Sequence, residues 1–363
     1  MKLFYMCFKS DKAMKGVEKK RKYEIKAFKL NGIDTEEVII EKESPFIRII
    51  PFQGKFNWCA HANLKGVSAL YIRYGFASFP FIFMLRSIRK NNPKIKIIIE
   101  IGSFPYDKEF IGYKKILWVR DVIYRRFLRK YVDRIAINRP FEEIYGVKVL
   151  QFVNPIDVDS INVSNRVNRN DGNVINLVAV ASLAHYHGYD RLISGIANYY
   201  SGEGTKVDIV FHVVGAGSIL PTLKKMVSDL KIEKYVKFYG FLSGEELEQM
   251  YDIADIGVDE LGGHRQDDLH NETIKSKEYI SRGIPYITEY SVPEKLSPIK
   301  KYIFSVSPDE TAIDIASIVN FYRTIRKEEQ RETTVAKMRS FAYSYCDVSV
   351  AMNSVIDYIL GDE

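Results

Sequence analysis

HNETIKSKEYISRGIPYI, residues 270–287, decides how the rest of the chain is read. A polar loop enters a helix, Gly283 stands just past the last helical turn, and a short apolar strand over 285–288 follows at once. Lys275 and Glu278 are three residues apart, so a cation and a carboxylate share a face near the end where backbone N–H groups point outward. A carboxylate can accept from two ribose hydroxyls, while free amides and a lysine favour a diphosphate. Taken alone, a Lys/Glu pair at this spacing is usually a solvated salt bridge.

Working outward from it, residues 174–290 alternate strand and helix. Strands are expected over 174–181, 208–214, 236–239 and 256–260, and helices over 190–200 and 218–230. Ser243 is expected to cap a short helix with Glu246 at the capping-box position. Gly215-Ala216-Gly217 ends the second of these strands, and LGGHRQDDLH, 261–270, leads from the fourth into the opening motif. The first half follows the same plan, with strands over 2–8, 37–41, 69–71 and 96–101 and a basic helix over 15–30 closed by Asn31-Gly32. Such alternation argues parallel, doubly wound sheets, whose ligands bind beyond the carboxyl ends of the strands. After Pro293 helices are expected over 310–322, 329–345 and 348–360.

The chain of 363 residues is long enough for two domains, and 46% hydrophobic with 27% charged residues is a globular composition. The Asn- and Ser-rich stretch 154–173 reads as the linker between domains over 1–153 and 174–345. Three scattered cysteines, Cys7, Cys59 and Cys346, without a CxxC, fit a reducing cytosol. The N-terminal apolar run ends at Lys9 with no cleavage site, and 76–85 is too short to cross a bilayer, so no spanning segment is expected.

The net charge of +7 is unevenly placed: residues 1–150 hold 31 Lys/Arg against 15 Asp/Glu, and the remainder 22 against 31. A basic half attracts anionic lipid or nucleic acid. No nucleic-acid-binding signature accompanies the charge, and no nucleic-acid partner is expected. Residues 113–134, YKKILWVRDVIYRRFLRKYVDR, read as one helix with Ile116, Val119, Ile123, Phe127 and Tyr131 at helical spacing among dense cations. That pattern suits a helix lying on the inner leaflet with Trp118 and Tyr124 at head-group level, and equally one whose apolar side faces a core.

The motif resembles the Lys-x-x-Glu-Tyr-x-x-x-Gly-x-Pro element of retaining glycosyltransferases of the GT-B architecture, in the large family numbered four. NPID at 154–157, VASLAHYHGYDRLISGI at 180–196, VGAG at 214–217, VKFYGFL at 236–242 and YDIADIGV at 251–258 are similar, in order, to further elements of that family. The resemblance implies two Rossmann-like domains facing across a cleft, with the last helix, about 346–363, crossing back to the first domain. It implies Glu278 on the ribose hydroxyls, Gly215 and Gly217 where the chain approaches the donor, and Phe241 and Leu242 flanking the base. Lys275 and the helix-start amides would lie near the diphosphate. The implied reaction is transfer of a sugar from a nucleoside diphosphate to an acceptor hydroxyl with retained configuration, without metal or other cofactor.

Three charged family positions differ. The diphosphate-binding Arg and Lys fall on Ser182 and His187, and the acidic residue eight before Glu278 falls on His270. His187 supplies charge if protonated, Arg265 stands in for the lost arginine, and Glu272 is the carboxylate nearest the vacant position. With Lys275 these are the candidate catalytic groups of a rebuilt donor site; His270 remains among the donor-binding candidates. In the first domain Arg73, Glu100, Tyr106 and Asp107 follow expected strands and are candidates to face an acceptor. His185, His187, His264 and His270 lack the spacing of a known metal site, and none is expected.

The sequence therefore reads as a hexosyltransferase-type enzyme (EC 2.4) of bacterial capsule or surface polysaccharide assembly, cytoplasmic and peripheral at the inner face of the membrane. Its expected partners are a nucleotide-sugar, a glycan or polyprenyl-diphosphate-linked acceptor, and anionic lipid. A nucleotide-sugar epimerase of the same fold and a non-catalytic binder of anionic glycan or nucleic acid are the alternatives.

Overall fold

The computed structural model describes residues 1–8, 15–40, 64–107, 112, 115–163, 174–204, 206–270 and 272–361. The chain divides into two units, Met1–Pro155 with Val348–Glu363, and Ile156–Asp347.

In the first unit, strands β1 (Lys2–Phe8), β2 (Asp34–Ile40), β3 (Val67–Arg73), β4 (Lys96–Glu100), β5 (Arg134–Ile137), β6 (Glu143–Ile144) and β7 (Val147–Gln151) form one sheet. Its order is β2-β1-β3-β4-β5-β7-β6, and every pairing is parallel except β6 with β7. Consecutive Ile97, Ile98 and Ile99 are fully buried, as a strand covered on both faces requires. The helices are α1 (Lys15–Leu30), α2 (Phe79–Asn91) and α3 (Lys115–Arg125).

The apolar run at 76–85 is largely α2. Ser78 accepts from the Phe81 N–H at 3.4 Å, and Pro80 sits in the first turn, where its missing N–H costs nothing. The single helix expected over 113–134 is shorter: α3 stops at Arg125, a 3-10 turn covers Leu128–Lys130, and Arg134–Ile137 becomes β5. Asp133 starts that strand by accepting from the Ile97 N–H at 2.7 Å and from Arg89 at 2.7 Å, which binds it to β4 and α2. Residues 113 and 114 lie outside the described residues.

In the second unit, β8 (Val174–Val180), β9 (Asp208–Val214), β10 (Val236–Gly240), β11 (Ile256–Val258), β12 (Tyr286–Thr288) and β13 (Ile303–Ser305) form an all-parallel sheet of order β10-β9-β8-β11-β12-β13. Its helices are α4 (Tyr189–Ser201), α5 (Leu220–Asp229), α6 (Glu245–Ile253), α7 (Ile274–Arg282), α8 (Ile315–Glu328) and α9 (Arg331–Tyr345). The expected capping box at Ser243 is absent: Gly244, at φ +60°, precedes α6 and no side chain caps it. Helix α8 starts at 315 rather than 310 because Asp314 accepts from the Ala316 N–H at 2.9 Å.

Ile156, Val158 and Ile161 are buried, so the stretch expected to link the domains is packed at its start; 164–173 lie outside the described residues. The chain enters and leaves the second unit side by side, the Ile156 N–H donating to the Cys346 carbonyl at 2.8 Å. Helix α10 (Asn353–Leu360) belongs to the first unit, where the Lys96 ammonium donates to the carbonyls of Tyr358 at 2.6 Å and Ile359 at 3.1 Å. Those are end carbonyls that no helical N–H can reach. No helix among the described residues is long and apolar enough to cross a membrane.

Candidate active site

The sheet of the second unit reverses its order between β8 and β11, which is where a parallel sheet opens a ligand crevice at its carboxyl edge. The loops at that edge are joined by backbone hydrogen bonds. Leu183 N–H donates to Ala216 at 2.9 Å, Leu261 N–H to His187 at 3.0 Å, and Gly215 N–H to Gly240 at 2.6 Å. Gly215 and Gly217 make this possible. A Cβ on either would lie 1.9–2.0 Å from the carbonyl oxygens of Ala181 and Leu183. These glycines thus permit a close approach between the loops after β8 and β9.

Helix α7 follows the loop after β11. Thr273 caps it, accepting from the Ser276 N–H at 3.2 Å, and Gly283 closes it at φ +73°. Tyr279 packs over Gly257 and its hydroxyl lies 3.0 and 3.1 Å from the carbonyls of Val178 and Val258, which docks the helix on the two strands at the reversal. Lys275 is thereby held in the first turn, its ammonium 3.6 Å from Asp259, and Glu278 accepts from the Tyr251 hydroxyl at 2.6 Å.

Asp259 was not singled out from sequence, although the signal was there: it stands one residue past β11, at a strand's carboxyl end. It is fully buried, accepts from Thr273 at 2.6 Å, and leaves its second carboxylate oxygen without a hydrogen bond among the described residues. Burial raises its pKa, opposed by Lys275.

His187 is buried beside this group, and its Nδ1 accepts from the Ala184 N–H at 3.0 Å. Burial, with the charge of Lys275, holds the imidazole well below its ordinary pKa. His187, expected to supply charge if protonated, is thus held towards a neutral ring that carries its proton on Nε2. Protonation of that ring favours unfolding: stability from His187 is complete above the unfolded value of about 6.5 and is lost as pH falls through the folded value. We expect its NMR ring signals to stay those of a neutral imidazole at pH 5.5; titration near 6.5 would contradict the burial.

Two further candidates have other work. Arg265 binds Asp190 through both terminal nitrogens at 2.9 and 2.7 Å and Glu310 at 2.9 and 2.5 Å, so it pins the 261–266 loop to the first turn of α4 instead of standing open as a substitute diphosphate ligand. Glu289, also missed, braces the same loop, accepting from the backbone N–H of Gly263 at 2.9 Å and of His264 at 3.1 Å. Glu272 is buried with Lys277, Tyr345 and, at 3.0 Å, Lys295. Burial alone would raise its carboxyl, but the two lysines outweigh it and hold it at about 2. Glu272 is a structural ion-pair partner rather than a free acid or base. Phe241, about half exposed, and Leu242 follow β10 at the same sheet edge, and His270 is exposed before α7.

Residues 161–258 match the family model described as glycosyl transferases group 1. The whole chain superimposes on a glycosyltransferase from Rickettsia africae ESF-5, with TM-score 0.65 and 13% identity over 100% of both chains. The chain has a glycosyltransferase fold. An alpha-glucosyltransferase in complex with UDP and a mismatched DNA 13-mer gives TM-score 0.59 at 12% identity, over 99% of this chain and 100% of that one. WaaG, a glycosyltransferase involved in lipopolysaccharide biosynthesis, gives 0.57 at 13% over 99% and 100%. These likenesses give the fold, two Rossmann-like units of the GT-B kind. No curated protein matches the sequence.

In the first unit the structure brings Arg73 and Glu100 together, but inside a buried network. Glu100 is 1% exposed and lies 2.7 Å from Lys20 and 3.4 Å from Arg73, which also reaches Glu24 at 3.4 Å. Tyr106 is likewise buried, donating to Asp121 at 2.7 Å. Glu100 and Tyr106 are corrected from acceptor-facing groups to interior ones. Asp107 accepts from the Trp118 indole and, at 3.2 Å, from Arg125, so Trp118 is tied to the protein surface.

Proposed function

We infer that the chain is a retaining glycosyltransferase that takes its sugar from a nucleoside diphosphate bound at the carboxyl edge of the second sheet. The observation that carries this reading is Glu278, fixed by Tyr251 on a helix whose first turn holds Lys275, at the strand-order reversal. In that arrangement Glu278 accepts from the ribose hydroxyls. Lys275 and the Nε2–H of His187 offset the charge that grows on the leaving phosphate as the bond from the anomeric carbon to oxygen breaks. The acceptor hydroxyl forms the new bond to that carbon on the face the phosphate leaves and gives its proton to the departing phosphate oxygen.

A polyprenyl-diphosphate-linked acceptor at an anionic membrane, in surface polysaccharide assembly, accounts for the basic first half of the sequence. The reading takes no metal. Calorimetry with UDP-, GDP- and dTDP-sugars tests the donor, and transfer to a lipid-diphosphate acceptor tests the reaction. Binding of none of the three classes would remove the reading. Turnover is expected to be unchanged in excess EDTA, whereas loss restored by Mg²⁺ would contradict the cation-only phosphate site.

A further inference from the structure

Helix α3 is mounted with its one acidic residue inward. Asp121 is fully buried and accepts from the Tyr74 hydroxyl at 2.6 Å, the Ala77 N–H at 2.6 Å and the Tyr106 hydroxyl at 2.7 Å. Three hydrogen bonds to one carboxylate fix the rotation of the helix about its axis. At 100° per residue, Ile116, Val119 and Ile123 lie about 140–160° around from Asp121. They are accordingly 52%, 48% and 47% exposed. Leu117 and Trp118 pack partly buried against the core, so Ile116, Val119 and Ile123 form a second, outward apolar stripe whose direction the hydrogen bonds of Asp121 set.

Helix α2 extends the apolar area. Phe79 and Phe83, stacked at 6.2 Å, are 42% and 59% exposed, and the Phe79 ring meets Tyr124 of α3 at 6.3 Å. Further along the same face of α2, at i+3 and i+7 from Phe83, come exposed Arg86 and Lys90.

On the other side of the stripe is a cavity of about 530 Å³ lined by Val122, Arg125, Arg126, Arg129, Glu143 and Tyr145. Val122 is three residues from Val119 and Arg126 three from Ile123, so cavity and stripe adjoin. Arg125 is fixed over the Tyr145 ring at 4.6 Å and to Asp107 at 3.2 Å. The aliphatic stem of Arg129 packs on Gly146, where a Cβ would come within 3.2 Å of it. Arg126 and Arg129 are exposed and have no carboxylate partner among the described residues, and neither have Arg86 and Lys90.

We propose that the outward face of α2 and α3 is a docking surface for an anionic phospholipid bilayer, with Phe83, Val119 and Ile123 in the acyl boundary and a lipid phosphate seated between Arg126 and Arg129. Exposed rings and branched aliphatics partition into that boundary, and unpaired guanidiniums flanking them complement its negative surface. This rests on the peripheral-membrane reading above and assigns it to one surface.

The test is sedimentation of the full chain with vesicles of phosphatidylcholine alone and with added phosphatidylglycerol. Wild type is expected to bind the anionic vesicles. Phe83→Ser/Val119→Ser/Ile123→Ser is expected to lose about a hundredfold in that affinity. Arg126→Ala/Arg129→Ala is expected to lose about thirtyfold on anionic vesicles and nothing on neutral ones, at about 1 kcal/mol per basic residue. Unchanged melting and nucleotide-sugar binding show that the variants are folded; should the triple variant not fold, Arg126→Glu/Arg129→Glu decides. Wild-type binding that neither set weakens leaves the membrane reading standing and overturns this surface. No wild-type binding overturns both. A dimer that the serine substitutions dissociate assigns the face to a second copy of the chain and also overturns the proposal.

Discussion

Replacing Glu278 by alanine is expected to weaken nucleotide-sugar binding by about 10²-fold or more. A carboxylate that accepts from two ribose hydroxyls makes two charge-assisted hydrogen bonds, each of roughly 1.5–3 kcal/mol, and every 1.4 kcal/mol is about tenfold in affinity. The effect on folding is smaller, because Glu278 has the Tyr251 hydroxyl at 2.6 Å and that hydroxyl can be rehydrated through the space alanine leaves. Glu278→Gln keeps the shape and loses the charge, so its affinity falls between the two. Tyr251→Phe removes one hydrogen bond to the carboxylate and is expected to cost about tenfold or less. Titration calorimetry beside thermal melting separates these outcomes. A Glu278→Ala protein that melts like wild type and binds within threefold of it would place the donor elsewhere.

Glu272, only six residues away, is expected to behave in the opposite way. Its substitution by glutamine leaves the ammonium of Lys277, which is fully buried, without its anion. Removing one partner of a buried pair costs about 3–5 kcal/mol, a large part of a unit's stability. The same pair sets an acid limit. The carboxyl is held at about 2 when folded and sits near 4.3 when unfolded, so its stabilisation is complete above the unfolded value. It declines as pH falls through the folded one, about 3 kcal/mol in all. Urea unfolding at pH 7 and pH 4 should show the wild type losing stability with acid, and Glu272→Gln losing less over the same interval. A variant of wild-type stability whose kcat alone collapses would return Glu272 to the chemistry.

The contrast between these two carboxylates shows what spacing could reveal. Glu278 was legible because its helix is local: Thr273 caps it, Gly283 ends it, and Lys275 is one turn away, all inside one short stretch. The parallel sheet was legible for a similar reason, since runs such as VINLVAV carry their burial in their composition. The role of Glu272 depends on Tyr345, 73 residues on, and that of Arg265 on Asp190 and Glu310, 75 and 45 residues away. No local pattern encodes such pairs. The neutrality of His187 depends on being enclosed, which follows from the loops closing over it. Strand β5 was hidden because IAI continues the apolar spacing of the helix before it, and only pairing with β4 distinguishes the two. The same spacing identified the stripe of α3 but not its direction, which Tyr74, Ala77 and Tyr106 decide through Asp121.

The last helix also orders events during synthesis. The ribosome makes residues 156–347 after most of the first unit and before α10, so the second unit can close on its own segment while the first waits for residues 348–361. Until they emerge, the ammonium of Lys96 lacks the carbonyls of Tyr358 and Ile359, and the Val153 N–H lacks that of Ala351. The nascent chain therefore matures from the middle outward, and the half made first is the half finished last.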